Sequence, residues 1–358
     1  MSLQSESFHG DRKLEAAAVF DRAHILTGAE GDHVSKIQGA LMQLDGAAID
    51  PEELGAAKYD SSTANAVLAY KQNQKRNIVN RSYQTQADNI VGKMTMASLD
   101  KEILAKESAD PDFIFLSDGQ KEIVKTDLVR SKQMLDVVLK RLQIVAHTTP
   151  SGGLLVTPRN LALYDTKLKI LNVFHINTFS PDDLPIPAGV LETLRQRFRG
   201  LTVLPAPSVS PVDAINFATL LQNFTQLRRS LDQKFRKEFY TQSTFKGQPL
   251  GFFAAFVDAT NPADSTVRIT RRYFDGLVMP TTDDRAVTLA HERAHTIFRA
   301  SGHPGTGDNP FCVAPHLGDP SVQRADQALA NPYCYEWLID SLQPNYNAAR
   351  FRGPECGT

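Results

Sequence analysis

Apolar residues recur at helical spacing through most of this 358-residue chain, and only two short runs read as strands. That pattern excludes an all-β fold and points to a mainly α protein with a small α+β part. Val34, Ile37, Leu41 and Leu44 form one stripe, with Gly46 as its stop. Ala66, Val67 and Tyr70 form a second behind a capping Ser or Thr, and residues 95–99 predict a third short helix. Further on, Leu135, Val138, Leu142 and Val145 mark a longer helix. Residues 165–174 and 187–199 predict two more, the last ended by Gly200. Ser210-Pro211-Val212-Asp213 combines a capping Ser, a Pro at the first helical position and an acid in the first turn. The helix it opens carries Phe217, Leu220, Leu221, Phe224, Leu227, Leu231 and Phe235 on one side. Arg228, Arg229, Lys234, Arg236 and Lys237 make its other face basic, which reads as solvation. The strand candidates are residues 252–257, a short apolar run, and residues 266–270, where Val267 and Ile269 alternate with Arg268 and Thr270.

A chain of this length suggests two domains. The pattern places an N-terminal extension at residues 1–25 and a compact three-helix module at residues 26–100. A charged, irregular linker is expected at residues 101–126, and a larger domain at residues 127–358. Lys and Arg number 39 against 40 Asp and Glu, a net charge of -1, which argues against nucleic acid as the main partner. The longest apolar stretch, residues 250–257, falls far short of the ~20 residues of a membrane span, so none is expected. The N-terminus carries no basic-then-apolar leader. Cys312, Cys334 and Cys356 are too few for a disulfide scaffold and read as thiols; a Cys312–Cys334 bridge stays open for an oxidising compartment. His147, His175 and Trp337 read as core or core-edge residues. Four of the nine histidines, His291, His295, His303 and His316, fall in one C-terminal window.

His291-Glu292-Arg293-Ala294-His295 gives that window a role. Residues four apart share a helix face, so two imidazoles can reach one ion, and Glu292 stands close enough to act as base toward a water there. Zinc suits two imidazoles and one further protein ligand, with a position left open. Asp283 and Asp284 suit the start of the helix, and Val287, Ala290, Ala294 and Phe298 suit its buried side. The third ligand is less constrained. Phe298 and Ser301 stand where one zinc-peptidase pattern would need Gly and His. Asp319 and Asp326 lie at the distance of a downstream acidic ligand, and His303 and Asp308 are nearer.

Gly305-Thr306-Gly307-Asp308, following the two histidines, resembles the aspzincins, the deuterolysin and peptidyl-Lys metallopeptidase group. The resemblance implies a zincin-type domain with a short β-sheet and an active-site helix. It also implies zinc on His291, His295 and Asp308, with Glu292 as general base and a protein or peptide as substrate. His303 remains the alternative ligand. The segment Val267-Arg268-Ile269-Thr270-Arg271-Arg272-Tyr273-Phe274 is similar to the family's edge strand. Asn331-Pro332-Tyr333-Cys334-Tyr335-Glu336-Trp337 is similar to its closing helix. Phe311 replaces the family's hydrogen-bonding Tyr, for which Tyr335, Tyr333 or His316 could stand in; Tyr335 is taken as the second catalytic residue.

The N-terminal module has its own resemblance. Leu26 to Gln38, Tyr59 to Tyr70 and Asp88 to Thr95 resemble the three parts of the peptidoglycan-binding domain of cell-wall hydrolases. Tyr70-Lys71 departs from that domain's usual Phe-Gln pair, and residues 76–89 look inserted. The resemblance implies attachment to peptidoglycan through residues 26–100, or a docking module that has lost glycan binding. Two further readings stay open: a wall-peptide hydrolase, and an adaptor whose metal site is inert. A latent enzyme, covered by its first hundred residues, is a third. A wall module joined to a peptidase without a leader implies export by another route, release by lysis, or a cytoplasmic protein.

Overall fold

The computed structural model describes residues 2–147, 157–183, 208–250, 253–258, 261, 263–300 and 325–344. It is mainly helical with small sheets, as expected. The chain divides into two compact units. The first comprises Met1–Lys125, Lys234–Phe256 and Thr266–Pro280; the second comprises Thr126–Gln233, Val257–Ser265 and Thr281–Thr358.

In the first unit, α1 (Arg12–Ala17), α2 (Asp32–Asp45), α3 (Pro51–Gly55), α4 (Ser61–Gln72) and α5 (Lys93–Ala109) follow one another. The stripe in α2 is buried at Val34, Ile37 and Leu41, and Gly46 closes the helix in the left-handed region at φ 63°. Gly39 occurs inside α2 because a Cβ there would come within 2.9 Å of the Phe115 ring. Helix α4 is capped by Asp60 rather than by a hydroxyl. The third helix is much longer than residues 95–99. It runs to Ala109, through the stretch expected to be linker. Lys, Glu, Leu and Ala make that stretch a good helix former, so its charge marks a solvated helix face, not a disordered connection. The N-terminal extension is also tied down at Gln4 to Ser7: the Asp100 carboxylate accepts from Gln4 N (2.9 Å) and Ser5 N (2.8 Å), and Glu107 accepts from Ser7 N (2.9 Å).

The loop of residues 76–89 is held by charge. Arg76 pairs with Glu102 and Asp45, each at 2.7 Å, and lies 4.0 Å from the centre of the Tyr70 ring. Lys71, nearly buried, pairs with Asp88. The position that departs from the expected Phe-Gln pair therefore anchors the loop.

Glu53 ties α3 to the start of α4. Its carboxylate accepts from Ser62 N (2.8 Å), Thr63 N (2.9 Å) and Thr63 Oγ1 (2.8 Å) at the start of α4. Burial alone would raise its pKa, but these donors outweigh burial and pull it down to about 2. A depressed carboxylate contributes stability above its unfolded pKa and loses it as pH falls toward the folded one. Glu53→Gln should therefore destabilise the protein by roughly 2 kcal/mol at pH 7. Wild type and variant should converge as denaturant midpoints are followed from about pH 4.5 down to pH 2; a pH-independent gap would count against this.

Two sheets among the described residues complete the first unit. β1 (Phe113–Ile114), β2 (Lys237–Phe239), β5 (Ala255–Phe256) and β6 (Val267–Ile269) form a sheet of order β1-β2-β6-β5. The first two pairings are parallel and the last antiparallel. β3 (Thr244–Phe245) and β4 (Gln248–Pro249) make a hairpin through Lys246 and Gly247, both at positive φ (48° and 78°), as a tight hairpin turn requires. Both expected strands thus exist in shortened form. Neither groups with the second unit, so the expected continuous domain at residues 127–358 is interrupted twice. Lys237 is corrected as well: it lies in β2, 3% exposed, donating from Nζ to Phe235 O (2.7 Å) beneath the Phe113 and Phe235 rings. Pairing of β2 on both edges overrides the helical spacing that ran through Phe235.

The described residues of the second unit are mainly helical. The division between the units falls within α6 (Asp118–His147), whose Met134, Leu135, Val138 and Leu142 are buried. α7 (Pro158–Phe174) begins earlier than expected, and His175 closes it in the left-handed region at φ 54°. α8 (Pro211–Ser230) opens as its sequence dictates, with Ser210 Oγ accepting from Asp213 N (3.0 Å). α9 (Thr282–Ala300), α10 (Ala325–Ala328) and α11 (Pro332–Ser341) follow. The helix expected at residues 187–199 lies outside the described residues. α9 packs against α11 and α8, and α11 against α7. Phe174, Phe224, Phe298 and Tyr335 interlock at the centre of this packing, with ring centroids 4.6–5.2 Å from Tyr335. No helix among the described residues is long and apolar enough to cross a membrane.

Candidate metal centre

The residues of the His-Glu-Arg-Ala-His motif lie in the middle of α9, where the chain is helical and almost fully buried. Two ion pairs fix the start of the helix. Arg285 grips the fully buried Asp127 with Nε to Oδ2 (2.8 Å) and Nη2 to Oδ1 (3.1 Å). Arg130 donates from Nη2 to Asp283 (2.9 Å). Thr281 Oγ1 accepts from Asp284 N (3.2 Å), capping the first turn.

The four-residue spacing brings the two imidazoles together as expected. His291 Nε2 and His295 Nε2 are 3.2 Å apart, and the rings meet edge-on at 71° with centroids 4.9 Å apart. Two nitrogens on a tetrahedral zinc, each about 2.0–2.1 Å from the metal, would lie roughly 3.3–3.4 Å from each other. The observed separation fits a shared ion. Without an ion, one nitrogen carries a proton and donates to the other. Glu292 and Arg293 are buried beside them, 6% and 5% exposed. Burial draws the Arg293 guanidinium down to about 10.

Helix α11 supplies the opposite wall. Asn331 caps it by accepting from Tyr333 N (3.1 Å), and Pro332 occupies the first turn. Cys334, Tyr335, Trp337, Leu338 and Ile339 are buried, which leaves Tyr333, Glu336 and Asp340 as a half-buried strip three and four residues apart. The Tyr333 ring meets His291 edge-on, with centroids 4.7 Å apart. Glu336 Oε2 stands 2.7 Å from His291 Nδ1, a charge contact not aligned as a full hydrogen bond. Burial first, then Glu336, Asp284 and Asp283, push Asp340 up to about 6.

Tyr335 is corrected. It is completely buried, its hydroxyl donates to Leu329 O (2.8 Å) and accepts from Asn223 Nδ2 (2.7 Å), and burial raises its pKa far above the usual range. Those bonds and the surrounding rings make it a core residue, not an acid at the site. The tyrosine that does face the histidines is Tyr333. Glu336 is the residue that motif reading passed over; its signal was a polar position on the same strip as Tyr333 in an otherwise apolar helix.

Asp308 and His303, the two candidates for third ligand, lie outside the described residues, as do Phe311, Cys312, His316, Asp319 and Cys356. Asp326 lies exposed in α10. Among the described residues no group of three or more His, Cys, Asp or Glu side chains forms a complete metal cage. Comparison with protein families, with curated proteins and with solved structures finds no match to this chain.

Proposed function

We propose that the second unit is a zinc-dependent peptidase of aspzincin type, holding its metal through His291, His295 and Asp308. The convergence of the two Nε2 atoms at 3.2 Å is the observation that carries this reading. Zinc, when bound, supplies Lewis acidity toward a peptide carbonyl and a water acidic enough to act as nucleophile near neutral pH. Glu292 would serve as the general base toward a water at the site and as proton donor to the departing amine. His291 and His295 turn their Nε2 atoms toward each other, and the Tyr333 ring meets His291 edge-on. His303 is the alternative third ligand. The substrate is a protein or an extended peptide. The first unit, with its packed α2, α4 and α5, acts in this reading as an attachment module for peptidoglycan or a protein partner.

The zinc-loaded full chain should hydrolyse an unfolded protein such as casein and lose that activity to a chelator. Elemental analysis should find one zinc per chain. A protein that binds no zinc and ignores chelators would leave the adaptor reading, which the Phe311 replacement favours.

A further inference from the structure

Motif reading assigned no role to Glu336, yet its carboxylate stands 2.7 Å from His291 Nδ1. Its position is fixed by α11, whose buried side locks the helix against α9 and α7. The geometry is specific about which nitrogen it meets. The two histidines converge through Nε2, while Glu336 meets the other ring nitrogen, Nδ1, at 2.7 Å. It therefore stands behind the His291 ring and not among the ligands. Tyr333, one turn earlier on the same strip, braces the ring edge-on at 4.7 Å.

A neutral imidazole carries one proton, and the nitrogen that carries it cannot bind a metal. A carboxylate 2.7 Å from Nδ1 favours the proton there, because the proton then lies beside negative charge. The lone pair is left on Nε2, the atom that faces His295. We infer that Glu336 is the positioning residue of the site: it selects the Nδ1–H tautomer of His291 and holds the ring with Nε2 turned toward the metal. This rests on the zinc reading above. Partners of this kind behind a metal-binding histidine change affinity by about 10- to 100-fold when removed.

Two measurements on the full chain test it. In metal-free protein labelled with ¹⁵N-histidine, the His291 ring nitrogens should report the Nδ1–H tautomer. In Glu336→Ala the population should shift toward Nε2–H. Zinc affinity, read by competition with a chromophoric chelator, should weaken about 10- to 100-fold in Glu336→Ala. Glu336→Gln, which keeps an oxygen acceptor without the charge, should recover part of both signals. A purely structural role would change neither the tautomer nor its recovery by Gln. Zinc binding by the wild type that Glu336→Ala leaves within twofold overturns this inference alone, as does an Nε2–H tautomer in the metal-free wild type. A wild type that takes up no zinc overturns the metal reading, and this inference with it.

Discussion

Glu292→Gln should lower casein hydrolysis about 100- to 10,000-fold, the range lost when a positioned general base is removed. Zinc content should stay at the wild-type level, because Gln keeps the volume of Glu and the two imidazoles do not depend on it. The combination matters more than the loss. A variant that loses zinc and activity together would show a damaged site and say nothing about a base. A variant that retains both would exclude Glu292 from proton transfer and favour the non-catalytic reading. Glu292 is 6% exposed, so water has little access to it.

The largest stability effect is expected at Asp127. Its carboxylate is fully buried and engages Arg285 through two bonds, 2.8 and 3.1 Å long. Asp127→Ala removes the carboxylate from a guanidinium whose side chain is only 18% exposed, and breaking a buried pair from one side costs about 3–5 kcal/mol. For a unit of this size that is a fall of roughly 6–20 °C in Tm. The pair itself is worth much less than that figure, since both charges lost hydration to form it. Asp127→Leu combined with Arg285→Met should therefore recover most of the loss. A single variant within about 1 kcal/mol of wild type would show that the contact is not desolvated in solution. Because Arg285 lies less than two turns before His291 on α9, the same variant also tests whether the start of that helix positions the site.

Local signals carried the helices well. The Ser-Pro-Val-Asp start of α8, the left-handed Gly46 stop and the His291/His295 face are each set by interactions within a few residues, and each is present. Features set by distant partners were not legible. The spacing through Phe235 continued a helix on paper, but β2 is created by neighbours at Phe113 and Val267. Charge in residues 101–109 looked like a linker because a solvated helix face and an irregular segment share a composition. Tyr335 and Tyr333 are two residues apart and chemically identical in the sequence. Only the packing of α11 against Phe174, Phe224 and Phe298 decides which ring is core and which faces His291. Glu336 was unmarked for the same reason: its meaning lies in a nitrogen on another helix.

The β1-β2-β6-β5 sheet also governs when the chain can finish folding. β1 meets its partner only after a gap on the order of a hundred residues, and β2 must then wait for β6. Helices α1 to α5 can form early during synthesis, but the edge of β1 stays open until Lys237–Phe239 emerges, and β2 stays half-paired until Val267–Ile269 does. Through that interval a nascent chain carries an unpaired strand edge beside apolar residues, the condition that invites capture by holdase chaperones or pairing between neighbouring chains. The brevity of these strands, two and three residues each, keeps that exposed edge small.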